Sequence, residues 1–270
     1  MVKDLREKTG LPMMECKQAL TESGGNVESA MDWLRMKHKG KLADRAGRAT
    51  GEGRIGVFLD PSRRFGGIIE LQCETAPVAQ NELFVNLANE FAKKVAFGSE
   101  ESPGPEAIRH DPEMDAKFTD VFARLREAMN ITQCRRVQGA YLASYVHHDG
   151  KSGVVVALDA KPKSDRNIGG DLCMHALFTN PIAIDRAAVP PHEVEKVRSI
   201  AVEVAKEEGK PAQIVEKIAA GKVNAFYSER VLMEQLHVKA DDYGKTKVGD
   251  CLKQAGVNAV TDLVIMKVGG

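Results

Sequence analysis

Residues 55–73, IGVFLDPSRRFGGIIELQC, place a Pro-Ser-Arg-Arg turn between two apolar runs. Each run is short and rich in Ile, Val, Leu and Phe, the composition of strands. So short a turn joins antiparallel neighbours only, because parallel strands need a crossover of a dozen residues or more. The stretch reads strand, turn, strand. Working outward, a helix is expected from about residue 78 to 95, where Leu83, Phe84, Leu87, Ala88, Phe91 and Val95 make one apolar stripe. Residues 137–158, VQGAYLASYVHHDGKSGVVVAL, repeat the theme with an Asp149-Gly150 turn and a helical stretch around 172–178. Two β-β-α units predict an α+β fold of two related antiparallel sheet-and-helix subdomains. Between them, residues 103–130 read as loop and then a helix carrying Phe118, Val121, Phe122 and Leu125.

Toward the N-terminus, residues 2–38 read as a compact three-helix unit. Val2 and Leu5 mark a short first helix, stopped at Thr9-Gly10. Pro12 suits the first position of a second helix, where its missing N–H has no partner to lose. That helix carries Met13, Met14, Cys16, Ala19 and Leu20 and ends at Ser23-Gly24-Gly25. Asn26 is the expected N-cap of a third helix. There Val27, Ala30, Met31 and Leu34 fall on one face, and Trp33 is expected to anchor the small core. The basic stretch at 37–54 has little to bury. It reads as a linker with helical character around 41–48, or else as an RNA-binding tail, a choice that the neutral whole disfavours.

After Pro190-Pro191, the apolar residues Val194, Val197, Ala201 and Val204 alternate spacings of three and four, a coiled-coil seam. The chain turns at residues 207–211, and a second helix carries Ile214, Val215 and Ile218. Arms of roughly 20–25 Å, at ~1.5 Å per residue, make a helical hairpin that projects from the body. A helix near 246–254 and a strand at 263–268 complete the pattern. The expected division is a three-helix unit at 1–40, a linker at 41–54, a first core subdomain at 55–133, and a second at 134–270 carrying the hairpin at 190–228.

Composition excludes several classes of function. Lys+Arg and Asp+Glu each number 38 among 270 residues, without the basic excess of a protein that coats nucleic acid. Aromatic residues make up 5%, too few for a base-stacking platform. No apolar run approaches the ~20 residues that span a bilayer. MVKDLREKTG carries charges where a signal peptide has its apolar segment. The five cysteines are scattered and never form CxxC, as suits thiols of a reducing compartment. A soluble cytoplasmic protein is expected.

Motifs for chemistry fail on context. Gly51–Gly56 matches GxGxxG, but it follows a polar stretch and leads into a strand, where a dinucleotide site needs the reverse. Gly150-Lys151-Ser152 resembles the end of a P-loop, yet Tyr145 stands where the first glycine belongs. His147-His148 beside Asp149 reads as a hairpin tip, or alternatively as a metal or acid/base pair. HExxH and GxSxG are both missing from the sequence. These readings predict a protein without covalent catalysis, cofactor or metal.

The string VKDLREKTGLPMMECKQALTE (2–22) closely resembles the N-terminal signature of the bacterial elongation factor Ts family, the exchange factors of elongation factor Tu. GGNVESAMDWLR (24–35) continues the match and implies a three-helix domain of the ubiquitin-associated type. GIIELQCET (67–75) followed by VAQNELF (78–84) resembles a second family signature. ITQCRRV (131–137), the hairpin near Tyr145-Val146-His147, and KTKVGDCLK (245–253) extend the similarity along the whole chain.

The resemblance implies binding to the GDP form of Tu and promotion of GDP release, with no direct nucleic-acid contact and no membrane. It implies Tu contacts at Arg6, Met13 and Met14, with at least one of the two methionines exposed, and at His147. A further contact is the turn Thr75-Ala76-Pro77-Val78, where the family pattern is Thr-Asp-Phe-Val and its Asp and Phe intrude beside the Mg²⁺ site of Tu. This chain keeps Thr75 and Val78 but has Ala76, which offers no carboxylate, and Pro77, which offers no aromatic ring. The alternative implied by that departure is a Tu-binding, chaperone-like or sequestering protein with weak exchange activity.

Overall fold

The first strand pair is set by its turn. Asp60 accepts hydrogen bonds from the Ser62 hydroxyl and from the amides of Ser62, Arg64 and Phe65. These donors, the Ser62 hydroxyl foremost, hold its carboxyl down at a pKa of about 2. Strands β1 (Glu52–Leu59) and β2 (Phe65–Cys73) run antiparallel from this turn, in register from Leu59↔Gly66 to Glu52↔Cys73. The computed structural model describes residues 1–45 and 47–270. Ala46, in the expected linker, lies outside them.

β2 pairs on its other side with β3 (Met129–Gln138), with a register shift at Glu70/Leu71. Sequence reading left most of β3 unassigned, because Arg135 and Arg136 interrupt its apolar alternation. Helix α5 (Glu82–Ala96) covers this sheet, burying Phe84, Leu87, Ala88, Phe91 and Val95. It lies so close that a side chain on Gly56 or Gly67 would strike the backbone of Ala88 or Ala92. The single helix expected from residue 78 is divided. A short α4 (Ala76–Ala79) ends at Gln80, and the Asn81 side chain caps α5 by accepting from the Leu83 amide. Helices α6 (Pro105–Arg109) and α7 (Pro112–Leu125) complete the first unit.

The second unit repeats the order. β4 (Tyr141–Val146), β5 (Ser152–Leu158) and the final β6 (Val260–Lys267) form an antiparallel sheet in that order, covered by α8 (Ile168–Thr179) and α12 (Val248–Gln254). The two sheets share a core of Ile55, Ile68, Val137, Leu142, Val155 and Val264. Each unit is thus strand, strand, helices, strand. In the second, the place of α6 and α7 is taken by a longer helical insertion.

That insertion is the hairpin of α9 (Pro191–Glu207) and α10 (Ala212–Arg230). Its seam keeps Ala201 and Val215 of the expected set but replaces Val204 and Ile214 with Ala205 and Ala219. Ala201, Ala205, Val215 and Ala219 are buried, whereas Val204 is 49% and Ile214 41% exposed. Small residues bring the helices close, which rotates the larger ones outward. The base is held by Ala183, Val189 and Val231, with Val194, Phe226 and Tyr227 packed against them. A short helix α11 (Ala240–Tyr243) precedes α12.

The N-terminal helices are α1 (Val2–Thr9), α2 (Met13–Glu22) and α3 (Val27–Ala43). Gly10 ends α1 in the left-handed conformation, Pro12 sits just before α2, and Asn26 caps α3 by accepting from the Ser29 amide. Leu5, Leu11, Cys16, Ala19, Leu20, Ala30 and Leu34 form the core, joined by Ala123 of α7. Trp33 is not the anchor that its size suggests. It is half-buried at the margin, with the Lys37 ammonium 4.8 Å from its ring centroid. The spacing of α3 turns Ala30 and Leu34 inward and leaves Trp33 on the flank.

Candidate partner-binding surface

The first turn of α2 presents both methionines. Cys16, Ala19 and Leu20 fill the inward face, while Met13 is 55% and Met14 72% exposed. Arg6 is exposed on α1 and lines one groove with Pro12, Met13, Arg124 and Arg126. The structure therefore brings Arg6 and Met13 together and leaves Met14 free in solvent. Glu15, one residue further, takes Arg126 at 2.7 Å and His38 at 3.1 Å. Burial by itself would raise the Glu15 carboxyl, but the Arg126 guanidinium beside it outweighs burial and holds it low. His38 is buried, and burial lowers its pKa despite Glu15, so at neutral pH it donates as a neutral imidazole.

Thr75 stands at the N-cap of α4, with Ala76 and Pro77 in the first turn. Pro77 loses nothing by lacking an N–H, since first-turn amides have no partner within the helix. Thr75 and Pro77 are exposed, and Ala76 and Val78 are half-buried. Glu127 holds the turn, accepting the Thr75 amide at 3.0 Å and the Thr75 hydroxyl at 2.6 Å. Glu74 accepts the Ala128 amide at 2.7 Å and pairs with Arg48 at 3.2 Å. The Ala128 amide is the main cause of its lowered pKa. The Cys73 thiol donates to the Thr75 carbonyl at 3.3 Å. Burial, with the nearby Glu127 charge, pushes that thiol up to about 12, so it stays protonated.

His147 follows β4 at the start of the second hairpin turn. Its amide donates to the Ser152 carbonyl at 2.9 Å, and its Nδ1 lies 3.2 Å from the Tyr145 hydroxyl. Gly150, at φ 72°, closes the turn, and its carbonyl accepts the Ile55 amide at 2.8 Å. Lys151 pairs with Glu52 at 2.6 Å. Because Glu52 is in register with Cys73, the hairpin and the Thr75 turn belong to the same end of the paired sheets. Among the described residues no group of three or more His, Cys, Asp and Glu side chains comes together to hold a metal ion. No described helix is long and apolar enough to cross a membrane.

Sequence reading missed Glu127, Arg126 and Glu74. They lie in stretches that read as loop or strand end, and no local periodicity pairs residue 127 with residue 75.

The fold defines an α+β protein of two related antiparallel units, which carries exposed turns and helix ends at their margins. The family model described as Elongation factor TS matches residues 74–270. The elongation factor Ts of Clostridium botulinum strain 657 is 39% identical over 257 residues, covering 92% of this chain and 83% of that relative. That of Nitratidesulfovibrio vulgaris strain DP4 is 38% identical over 263 residues, covering 94% and 88%. The chain belongs to the elongation factor Ts family.

Proposed function

We propose that this chain binds elongation factor Tu in its GDP form and promotes release of GDP, so that GTP can enter. Family membership across residues 74–270, a span that opens on the braced Thr75 turn, is the observation that carries the reading. Exchange of this kind breaks no covalent bond. The chain favours a conformation of Tu that holds nucleotide and Mg²⁺ poorly, and nucleotide weakens the complex by the same factor. A thousandfold loosening needs about 4 kcal/mol of coupling, within reach of a protein interface. Arg6, Met13, Met14, His147 and the Thr75–Val78 turn are the proposed contacts. Exposed methionine suits such a surface because its flexible thioether adapts to a partner. The role needs no cofactor, no direct contact with nucleic acid and no membrane, and it belongs in the cytoplasm.

A second reading is favoured by Ala76 and Pro77, which supply neither carboxylate nor ring at the turn. Under it the chain binds Tu as a chaperone-like or sequestering protein and exchanges weakly. Release of labelled GDP from Tu separates the two. Faster release with substoichiometric chain supports exchange, whereas tight binding without faster release supports the second reading.

A further inference from the structure

Three consecutive residues between α7 and β3 reach two distant parts of the molecule, the start of α2 and the Glu74–Thr75 turn. Arg126, in the left-handed conformation at φ 59°, extends its guanidinium to Glu15, one residue beyond Met14. Glu127 takes the Thr75 amide on one carboxylate oxygen and the Thr75 hydroxyl on the other. The Ala128 amide donates to Glu74. One turn of chain therefore fixes the methionine-bearing end of α2 and the Thr75–Val78 turn relative to each other.

The way Thr75 is used shows that more than helix capping is at work. An N-cap threonine ordinarily accepts from the amide two or three residues on. Here the first of those positions is Pro77, which has no amide, and the Thr75 side chain makes no cap bond at all. Its hydroxyl is spent as a donor to Glu127 in a short charge-assisted bond. The Thr75 carbonyl is engaged as well, by the Cys73 thiol and the Ala79 amide. Every polar group of this exposed residue is thus tied to the frame.

We propose that Glu127 is a positioning residue that makes the Thr75–Val78 turn a rigid lever, kept in register with Met13 and Met14 through Arg126 and Glu15. The proposal rests on the exchange reading above. A turn that yields still adds to binding, but it does not transmit strain into the partner. Interactions that act only on the strained state raise the maximal rate, whereas uniform binding changes only the concentration needed.

The test combines two measurements on the full chain. In the first, amide hydrogen exchange is followed at residues 74–80 without Tu. Glu127→Ala should speed exchange there about tenfold while protection in α5 stays unchanged. Equal exchange in wild type and variant overturns the proposal, whatever the chain does to Tu. In the second, GDP release from Tu is titrated with each variant. Glu127→Ala and Thr75→Val should each lower the maximal rate about tenfold with half-saturation held within twofold, and the double variant should fall no further. An unchanged maximal rate with a higher half-saturating concentration overturns the lever role. Should Glu127→Ala lower the melting temperature of the chain, Glu127→Gln replaces it under the same criteria. If wild-type chain does not accelerate release at all, the exchange reading fails, and the hydrogen-exchange comparison alone decides whether Glu127 braces the turn.

Discussion

Ala76, half-buried, and Pro77, exposed, occupy the first two positions of α4. Ala76→Asp puts a carboxylate there, and Pro77→Phe adds a ring. A carboxylate brought near Mg²⁺ acts on the strongest charge in its surroundings. Under the proposed exchange, Ala76→Asp should speed Mg²⁺-dependent GDP release on the order of tenfold, equivalent to about 1.4 kcal/mol. Stopped-flow release at two Mg²⁺ concentrations checks this, and a variant that binds Tu normally without change in either rate contradicts it. A second residue-scale test concerns Trp33. At the margin of its core, Trp33→Ala should cost about 1–2 kcal/mol, less than the 2–5 kcal/mol expected for buried Leu34→Ala. Urea unfolding of the full chain compares them, and the reverse order contradicts the placement. At this scale, helical periodicity made Cys16, Ala19 and Leu20 legible as core. The brace on Thr75 was not, because Glu127 acts across 52 positions and leaves no local pattern.

Elements were legible where one face is continuously apolar, as in α5, and blurred where charge or small residues intervene. Arg135 and Arg136 concealed β3, and Ala205 and Ala219 of the α9–α10 seam were outranked by the larger Val204 and Ile214. The stretch between α10 and α12, whose Val238 amide and Tyr243 hydroxyl donate to His175 and Asp171 of α8, went unread altogether. It brings the His237 ring to 5.2 Å from that of His175 and 4.1 Å from that of Tyr243. Burial first, then His175, pushes His237 down to about 4, against the pull of Asp171. Burial likewise lowers His175. Both folded values lie below the unfolded one, so the unfolded chain takes up protons first as pH falls. Stability is therefore full above about pH 6.5 and declines toward pH 4, with His237 contributing on the order of 3 kcal/mol across that window. The urea midpoint of wild type should fall between pH 7 and 5. His237→Phe, which keeps a ring against Tyr243, should show a clearly smaller fall. Identical falls in both proteins contradict this account of the segment.

At the scale of the whole molecule, the α+β class, the twofold β-β-α repeat and the helical hairpin were all readable from periodicity and turns. Their mutual placement was not, because it depends on contacts between distant positions. The three-helix unit leans on α7 through Ala123, with Arg35 and Asp120 paired at 3.3 Å and Lys39 and Asp115 at 2.8 Å. Exposed pairs of this kind contribute little singly. Together they fix an orientation in which Arg6 and Met13 share a groove with Arg126, beside the turn held by Glu127. The central claim is that this frame couples Tu binding to GDP release, and coupling of that kind is reciprocal. The most direct test is the affinity of the chain for Tu, measured with nucleotide-free Tu and with GDP-saturated Tu at the same Mg²⁺ concentration. The account predicts weaker binding to the GDP-saturated form by the same factor by which the chain loosens GDP, on the order of a thousandfold. Equal affinity for the two forms would contradict it.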